Sequence, residues 1–262
     1  MSIAVNFNNV YKLIVLHYHK MEKTFIFDYD DTLAPNEYTY SLAQLEFAKL
    51  VVDRLGMKAP DVPTMMGLHV RIDKEAVKSM GFSMERFPTS FRETYRTICS
   101  LRKIKPNEDD LNHAYQLGMK AFDESLWRRA GLVEGAGQTL DFLVQRNDEL
   151  ILLTKGDARV QKKKIEVTGI KKWFGENIHI VPKKDEEVLL KHVNGRDKAR
   201  VWHVGNSIRS DVEPALKAGI KMIYIPCETW HYEMEHNGVP ENPNLLTFDR
   251  IIDIKEKYHL IN

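Results

Sequence analysis

The chain reads as an α/β protein: a parallel β-sheet flanked by helices, interrupted near its start by a long helical insertion. Three observations predict this. Five short apolar runs recur, FIF at 25–27, LILL at 150–153, IHIV at 178–181, VWHVG at 201–205 and MIYIP at 222–226. Each is rich in β-branched or aromatic residues and bounded by polar or turn residues, as buried strands are. The stretches between the later runs carry helical spacing: 136–147, 158–168 ahead of Gly169, and 211–218 ahead of Gly219. Glycine past the last periodic residue is a helix stop, and strand alternating with helix is the pattern of a parallel sheet. Residues 36 to about 130, in contrast, hold amphipathic stretches such as SLAQLEFAKLVVDRLG and no convincing strand.

The totals bound the function. The chain has 262 residues, 43% of them apolar, enough for one large domain or two small ones. Lys and Arg number 38 against 37 Asp and Glu, so no basic excess argues for nucleic acid and no charge block for a tail. Cys99 and Cys227 lie far apart without ligand spacing, so free thiols in a reducing compartment are expected. The apolar stretch VYKLIVLHYH, interrupted by His17 and His19, is too short to span a bilayer and lacks a signal-peptide cleavage site. No membrane association is expected, and the cytoplasm is the default location. The expected organisation is an N-terminal extension over 1–20, a core formed by 21–35 and 131–262, and an all-helical insertion over 36–130. Oligomeric state is left open.

In an open parallel sheet, ligands bind beyond the carboxyl ends of the strands. Behind the first strand come Asp28, Tyr29, Asp30, Asp31 and Thr32; behind the second, Thr154, Lys155, Gly156 and Asp157. Behind the third come Pro182, Lys183, Lys184 and Asp185; behind the fourth, Gly205, Asn206, Ser207, Arg209, Ser210 and Asp211. Carboxylates, a hydroxyl, an ammonium and an amide thus converge on one rim, the inventory of metal-assisted phosphoryl transfer.

On these motifs the chain resembles the haloacid dehalogenase (HAD) superfamily, in its phosphatase branch. The family's Asp-x-Asp-x-Thr motif is matched by Asp28, Asp30 and Thr32, its strand-closing Thr by Thr154, its lysine by Lys184 with Lys183 as runner-up, and its acidic motif by Gly-Asn-Ser-Ile-Arg-Ser-Asp at 205–211. Asn206 stands where many relatives carry aspartate. The resemblance covers roughly residues 23–34 and 132–228, and implies a Rossmann-like core with 36–130 as a helical cap. It further implies Asp28 as nucleophile, Asp30 as general acid and base, and Lys184 as charge neutraliser. Thr154, Lys155 and Gly156 would hold the phosphoryl group. Mg2+ would rest on Asp28, the Asp30 backbone carbonyl, Asn206 and Asp211, hard oxygen donors suited to it. The expected substrate is a small phosphorylated metabolite. A phosphotransferase or mutase is the alternative, and a non-catalytic ligand-binding relative a further one. A dehalogenase is less expected, because Asp30 is present.

Plainer readings stand beside these. Asp31 and Asp157 are as readily turn residues, and Asp211 is also a helix cap. His203, inside an apolar strand, reads as a satisfied core histidine, KKK at 162–164 as a solvated helix face, and HYEMEHN at 231–237 as a polar surface stretch without zinc-site spacing. Phe91, Tyr95 and Trp127 fit core packing of the insertion. In that insertion His69, Arg71, Arg92 and Arg96 are candidates to hold a second anionic group of the substrate, Arg92 foremost.

Overall fold

A computed structural model describes residues 23–227 and 238–261. The expected extension at 1–20 and the 231–237 stretch lie outside the described residues. Six strands form one parallel sheet: β1 Thr24–Phe27, β2 Glu149–Lys155, β3 Ile178–Val181, β4 Val201–Gly205, β5 Lys221–Tyr224 and β6 Leu245–Thr247. Their order is β3-β2-β1-β4-β5-β6. The chain therefore winds one way from β1 through β2 to β3 and the other way from β4 to β6. The switch falls between β1 and β4, where a crevice opens at the strands' carboxyl ends.

The apolar runs form strands because both faces of the sheet are covered. Alternate residues go to opposite faces. Phe25, Phe27, Leu150, Leu152, Trp202 and Val204 join one cluster, with Leu140 and Leu143 of α6 (Ala136–Gln145) and Ile165 of α7 (Ala158–Thr168). Ile26, Ile151, Leu153, Val201 and Met222 join the other, with Leu189 and Val193 of α9 (Glu186–Val193) and Ala215 of α10 (Glu213–Lys217). A short α8 (Lys171–Phe174) precedes β3.

Between β1 and α6 the chain makes α1 Glu37–Leu55, α2 Val62–Met80, α3 Arg86–Leu101, α4 Glu108–Met119 and α5 Glu124–Ala130. Their starts follow local chemistry. Asp61 accepts the Thr64 N–H at 2.9 Å ahead of α2, Asn107 the Asp109 N–H at 2.9 Å ahead of α4, and Asp123 the Ser125 N–H at 2.8 Å ahead of α5. These helices bury an apolar cluster of their own, centred on Phe47, Met65, Phe91, Tyr95 and Leu111. Phe47 and Phe91 stack with ring centroids 4.4 Å apart. Gly118 lets α4 press onto α3, since a Cβ there would sit 2.5 Å from Pro88 Cα. Trp127 is buried as well. Cys99 is buried and Cys227 exposed, neither in a disulfide. Among the described residues no helix is long and apolar enough to cross a membrane.

Because the helical layer has its own core, a cavity in it carries the full large-to-small penalty. Phe47→Ala is expected to cost about 3–5 kcal/mol, read as a lowered urea midpoint of the helical signal.

Candidate active site

The three aspartates behind β1 diverge. Asp28 stays in sheet register, its N–H donating to Val204 O at 2.8 Å, and its side chain is buried. Beyond it the chain turns tightly: the N–H groups of Leu33 and Ala34 donate to Tyr29 O at 2.9 and 3.1 Å. Asp31 takes a positive φ of 56° and turns back, its Oδ1 accepting the N–H groups of Asn36 at 2.7 Å and Glu37 at 3.0 Å. Asp31 therefore caps α1. Asp30 points the other way, toward α7.

Asp28 belongs to a buried charge network. Lys184, whose side chain is 2% exposed, places Nζ 2.5 Å from both Asp28 Oδ1 and Asp211 Oδ1. Asp211 is fully buried; its Oδ1 lies 3.0 Å from His203 Nε2, and its Oδ2 accepts the Ser207 N–H at 2.9 Å. The other ring nitrogen of His203 lies 2.9 Å from Ile26 O, so this core histidine is satisfied at both nitrogens and steadies Asp211. Gly205 is required beneath, because a Cβ there would overlap the Asp211 carboxyl group. Thr32 Oγ1 joins the two central strand ends, 3.3 Å from Asp28 Oδ2 and 3.2 Å from Asn206 Oδ1.

The electrostatics follow the geometry. Burial raises the Asp28 pKa to about 7 from 3.8, opposed by Lys184 and reinforced by Asp211 and Asp30. Burial alone would raise Asp211 too, but Lys184 and the His203 hydrogen bond outweigh it and hold that carboxyl well below the usual range. Lys184 is the converse: burial disfavours its charge, and the carboxylates of Asp211 and Asp28 prevail, raising its pKa. Lys183 instead pairs at the surface with Asp185 at 2.6 Å, its side chain 73% exposed.

Asp30 is held from α7. Gln161 Nε2 donates to Asp30 Oδ2 at 2.7 Å and to Lys155 O at 2.9 Å, and Lys164 pairs with Asp30 Oδ1 while donating to Asn36 Oδ1 at 2.7 Å. This corrects the reading of 162–164 as a solvated face. Lys164 is 3% exposed, and only its two neighbours lie on the outer side. Sequence reasoning missed both Gln161 and Lys164. The available signal was their three-residue spacing on the first turns after a motif-bearing strand, which puts them on one helix face.

Of the remaining expected residues, Lys155, Gly156, Asn206 and Asp211 line the cleft together with Asp28, Asp30 and Lys184. Lys155 Nζ sits 2.5 Å from Ser210 Oγ, a hydroxyl the sequence reading left without a role. Gly156 has φ of 140°, a backbone that a side chain rarely adopts. Thr154, near the end of β2, is fully buried with its hydroxyl unpartnered and is not among the residues lining the cleft. Arg92 is a correction. It does not line the cleft; its guanidinium lies 5.3 Å from the Tyr115 ring, on the side of α3 turned toward α4. Arg86 of the same helix lines the cleft instead, buried against Asp73. Asp157 accepts the Met84 N–H at 2.9 Å from the helical layer and caps α7 through the Arg159 N–H at 2.9 Å, while Arg159 reaches Glu85 at 2.9 Å.

No protein-family profile and no curated protein matches the sequence. Solved structures do. A haloacid dehalogenase-like family hydrolase from Xanthomonas campestris superposes with a TM-score of 0.71 over 93% of each chain at 22% identity. The chain has the fold of the HAD-like hydrolases. A HAD hydrolase from Bacillus subtilis, YfnB, solved bound to magnesium, matches 93% of this chain and 100% of its own at TM-score 0.56 and 17% identity. A 2-haloacid dehalogenase from Pseudomonas syringae matches 92% of this chain and 100% of its own at 0.56 and 15%.

The HAD-like core buries one ammonium between two carboxylates, and removing it strands both. Lys184→Met is expected to cost about 3–5 kcal/mol at pH 8. Burial raises the Asp28 pKa to about 7 with Lys184 opposing it; without that ammonium it rises further, so above about pH 7 the variant must keep a proton on Asp28 that the wild type has released. The deficit, measured by urea unfolding, should therefore be smaller at pH 5 than at pH 8.

Proposed function

We propose that the chain is a Mg2+-dependent phosphatase that hydrolyses a small phosphate monoester through an aspartyl phosphate on Asp28. The observation that carries this is the pairing of two carboxylates of different character at the β1–β4 switch point. Asp28 is buried against Lys184, and Asp30 is held beside it by Gln161 and Lys164.

In this reading an Asp28 oxygen attacks phosphorus, the bond from phosphorus to the ester oxygen breaks, and Asp30 gives that oxygen a proton. Water then attacks phosphorus, Asp30 takes the water's proton, and inorganic phosphate leaves with Asp28 restored. Lys184 offsets charge on Asp28 and the phosphoryl oxygens. The Thr154 hydroxyl, buried and unpartnered, and the backbone around Gly156 supply donors for those oxygens. The helical layer over 36–130 acts as a cap, and Tyr40, Met84 and Phe87 face the cleft from it.

The donor set fits magnesium. Among the described residues no three His, Cys, Asp or Glu side chains converge as a metal cluster. A cation would rest on the carboxylates of Asp28 and Asp211, the Asn206 amide oxygen and the Asp30 carbonyl, with water completing the shell. Bound there, it would draw the phosphate and Asp28 together despite their like charge. The magnesium in YfnB supports this assignment. The dehalogenase likeness does not displace it, because a halide leaves without a proton whereas an ester oxygen needs one, and Asp30 is positioned to give it.

The deciding measurement is phosphate release from a panel of phosphate monoesters with and without Mg2+. Wild type should release phosphate only with the metal, and Asp28→Asn should lose at least a thousandfold; undiminished turnover in that variant would sink the mechanism. Since Mg2+ competes with the proton on Asp28, the rise in thermal midpoint on adding Mg2+ should be larger at pH 7.5 than at pH 5.5. Lys164→Met should lower kcat/KM by roughly 10–100-fold for alkyl phosphates. The loss should be smaller for p-nitrophenyl phosphate, whose leaving group needs little protonation, and Lys164→Arg should restore part of it.

A further inference from the structure

This inference rests on the phosphatase reading and concerns the end of the substrate away from the phosphate. Arginines of the helical layer were expected to grip a second anion there. Arg92 faces Tyr115, Arg96 pairs at the surface with Glu93, and Arg71 is exposed. His69 is buried among the rings of Phe47, Phe87 and Phe91, and burial lowers its pKa to about 4, leaving it neutral. Arg86 does line the cleft, but its charge is matched by Asp73, which also accepts the Ser90 hydroxyl at 2.7 Å.

What the layer presents instead is Glu37, Tyr40 and Gln44, beside the apolar Phe82, Met84 and Phe122. Among the described residues seven carboxylates and four cationic side chains line the cleft. The cations among them are already engaged: Arg86 with Asp73, Lys184 with Asp28 and Asp211, Lys164 with Asp30, and Lys155 beside the Ser210 hydroxyl. Independently, Gln161 is 2% exposed, and with its Nε2 committed to Asp30 and Lys155 O, its Oε1 has no partner. A buried orphan acceptor in a cleft wall calls for a donor.

We propose that the cleft selects phosphate monoesters whose alcohol carries an ammonium or neutral hydrogen-bond donors and no second anionic group, with Glu37 as the discriminating side chain. An ammonium on the leaving group would gain the Glu37 carboxylate as a partner, whereas an anionic group would gain none from it. Burial and Asp31 raise the Glu37 pKa to about 7, and an ammonium placed beside it would favour the ionised form.

The test is a series on one short carbon skeleton: phosphoethanolamine, ethylene glycol monophosphate and 2-phosphoglycolate, with p-nitrophenyl phosphate as reference. The expected kcat/KM falls in that order, at least tenfold between the ends, and Glu37→Gln should narrow the ratio of first to last several-fold. Equal or preferred turnover of 2-phosphoglycolate, or a ratio unmoved in Glu37→Gln, would overturn the inference. If no ester, the reference included, is turned over with Mg2+, the phosphatase reading fails by itself. Calorimetric binding of the three esters to the Asp28→Asn variant then still ranks them, and tighter binding of 2-phosphoglycolate would overturn the selectivity.

Discussion

Lys184 lies between Asp28 and Asp211, almost wholly buried at the floor of the cleft, and the rest of the site is arranged around that fact. A buried ammonium is tolerable only if carboxylates meet it, and two carboxylates are tolerable only if something positive or donating meets them. The sheet satisfies both demands by bringing the ends of β1 and β4 side by side, with the segment after β3 reaching over them. His203 and the Ser207 N–H complete the shell of Asp211, and Gly205 leaves room for its carboxyl group.

The division of labour among the clustered aspartates follows from environment rather than residue type. Asp28 is packed and paired with an ammonium, Asp30 is suspended between an amide and a second ammonium, and Asp31 is spent on the N-terminus of α1. Chemistry that needs one carboxylate to attack and another to shuttle a proton requires that kind of separation, and the tight turn after Tyr29 provides it within four residues.

Much of this was legible before the fold was seen. β1, β2, β4 and β5 announce themselves because strands buried on both faces must be continuously apolar, and β3, a part-buried edge strand, does so by a four-residue run rich in β-branched residues. β6 did not: it is three residues long, at the sheet edge and only partly buried, so its pattern is too short to read. The strand-end residues were legible because a parallel sheet delivers them to one rim. Lys164 was not, since adjacent lysines on a helix point about 100° apart and a run of three hides which one turns inward. Arg92 failed for the same reason in reverse. Periodicity shows that α3 has a buried face, but not which flank of it overlooks the cleft, and that flank belongs to Arg86.

Asp157 joins the helical layer to the helix that serves the site. Met84 in the helical layer donates to the carboxylate that also starts α7, and α7 carries Gln161 and Lys164 one and two turns further on. The contact that draws the layer down and the groups that aim Asp30 are thus mounted on one rigid rod. A single substitution at Asp157 would therefore reach two places at once, the seam with the helical layer and the start of the helix whose side chains hold Asp30.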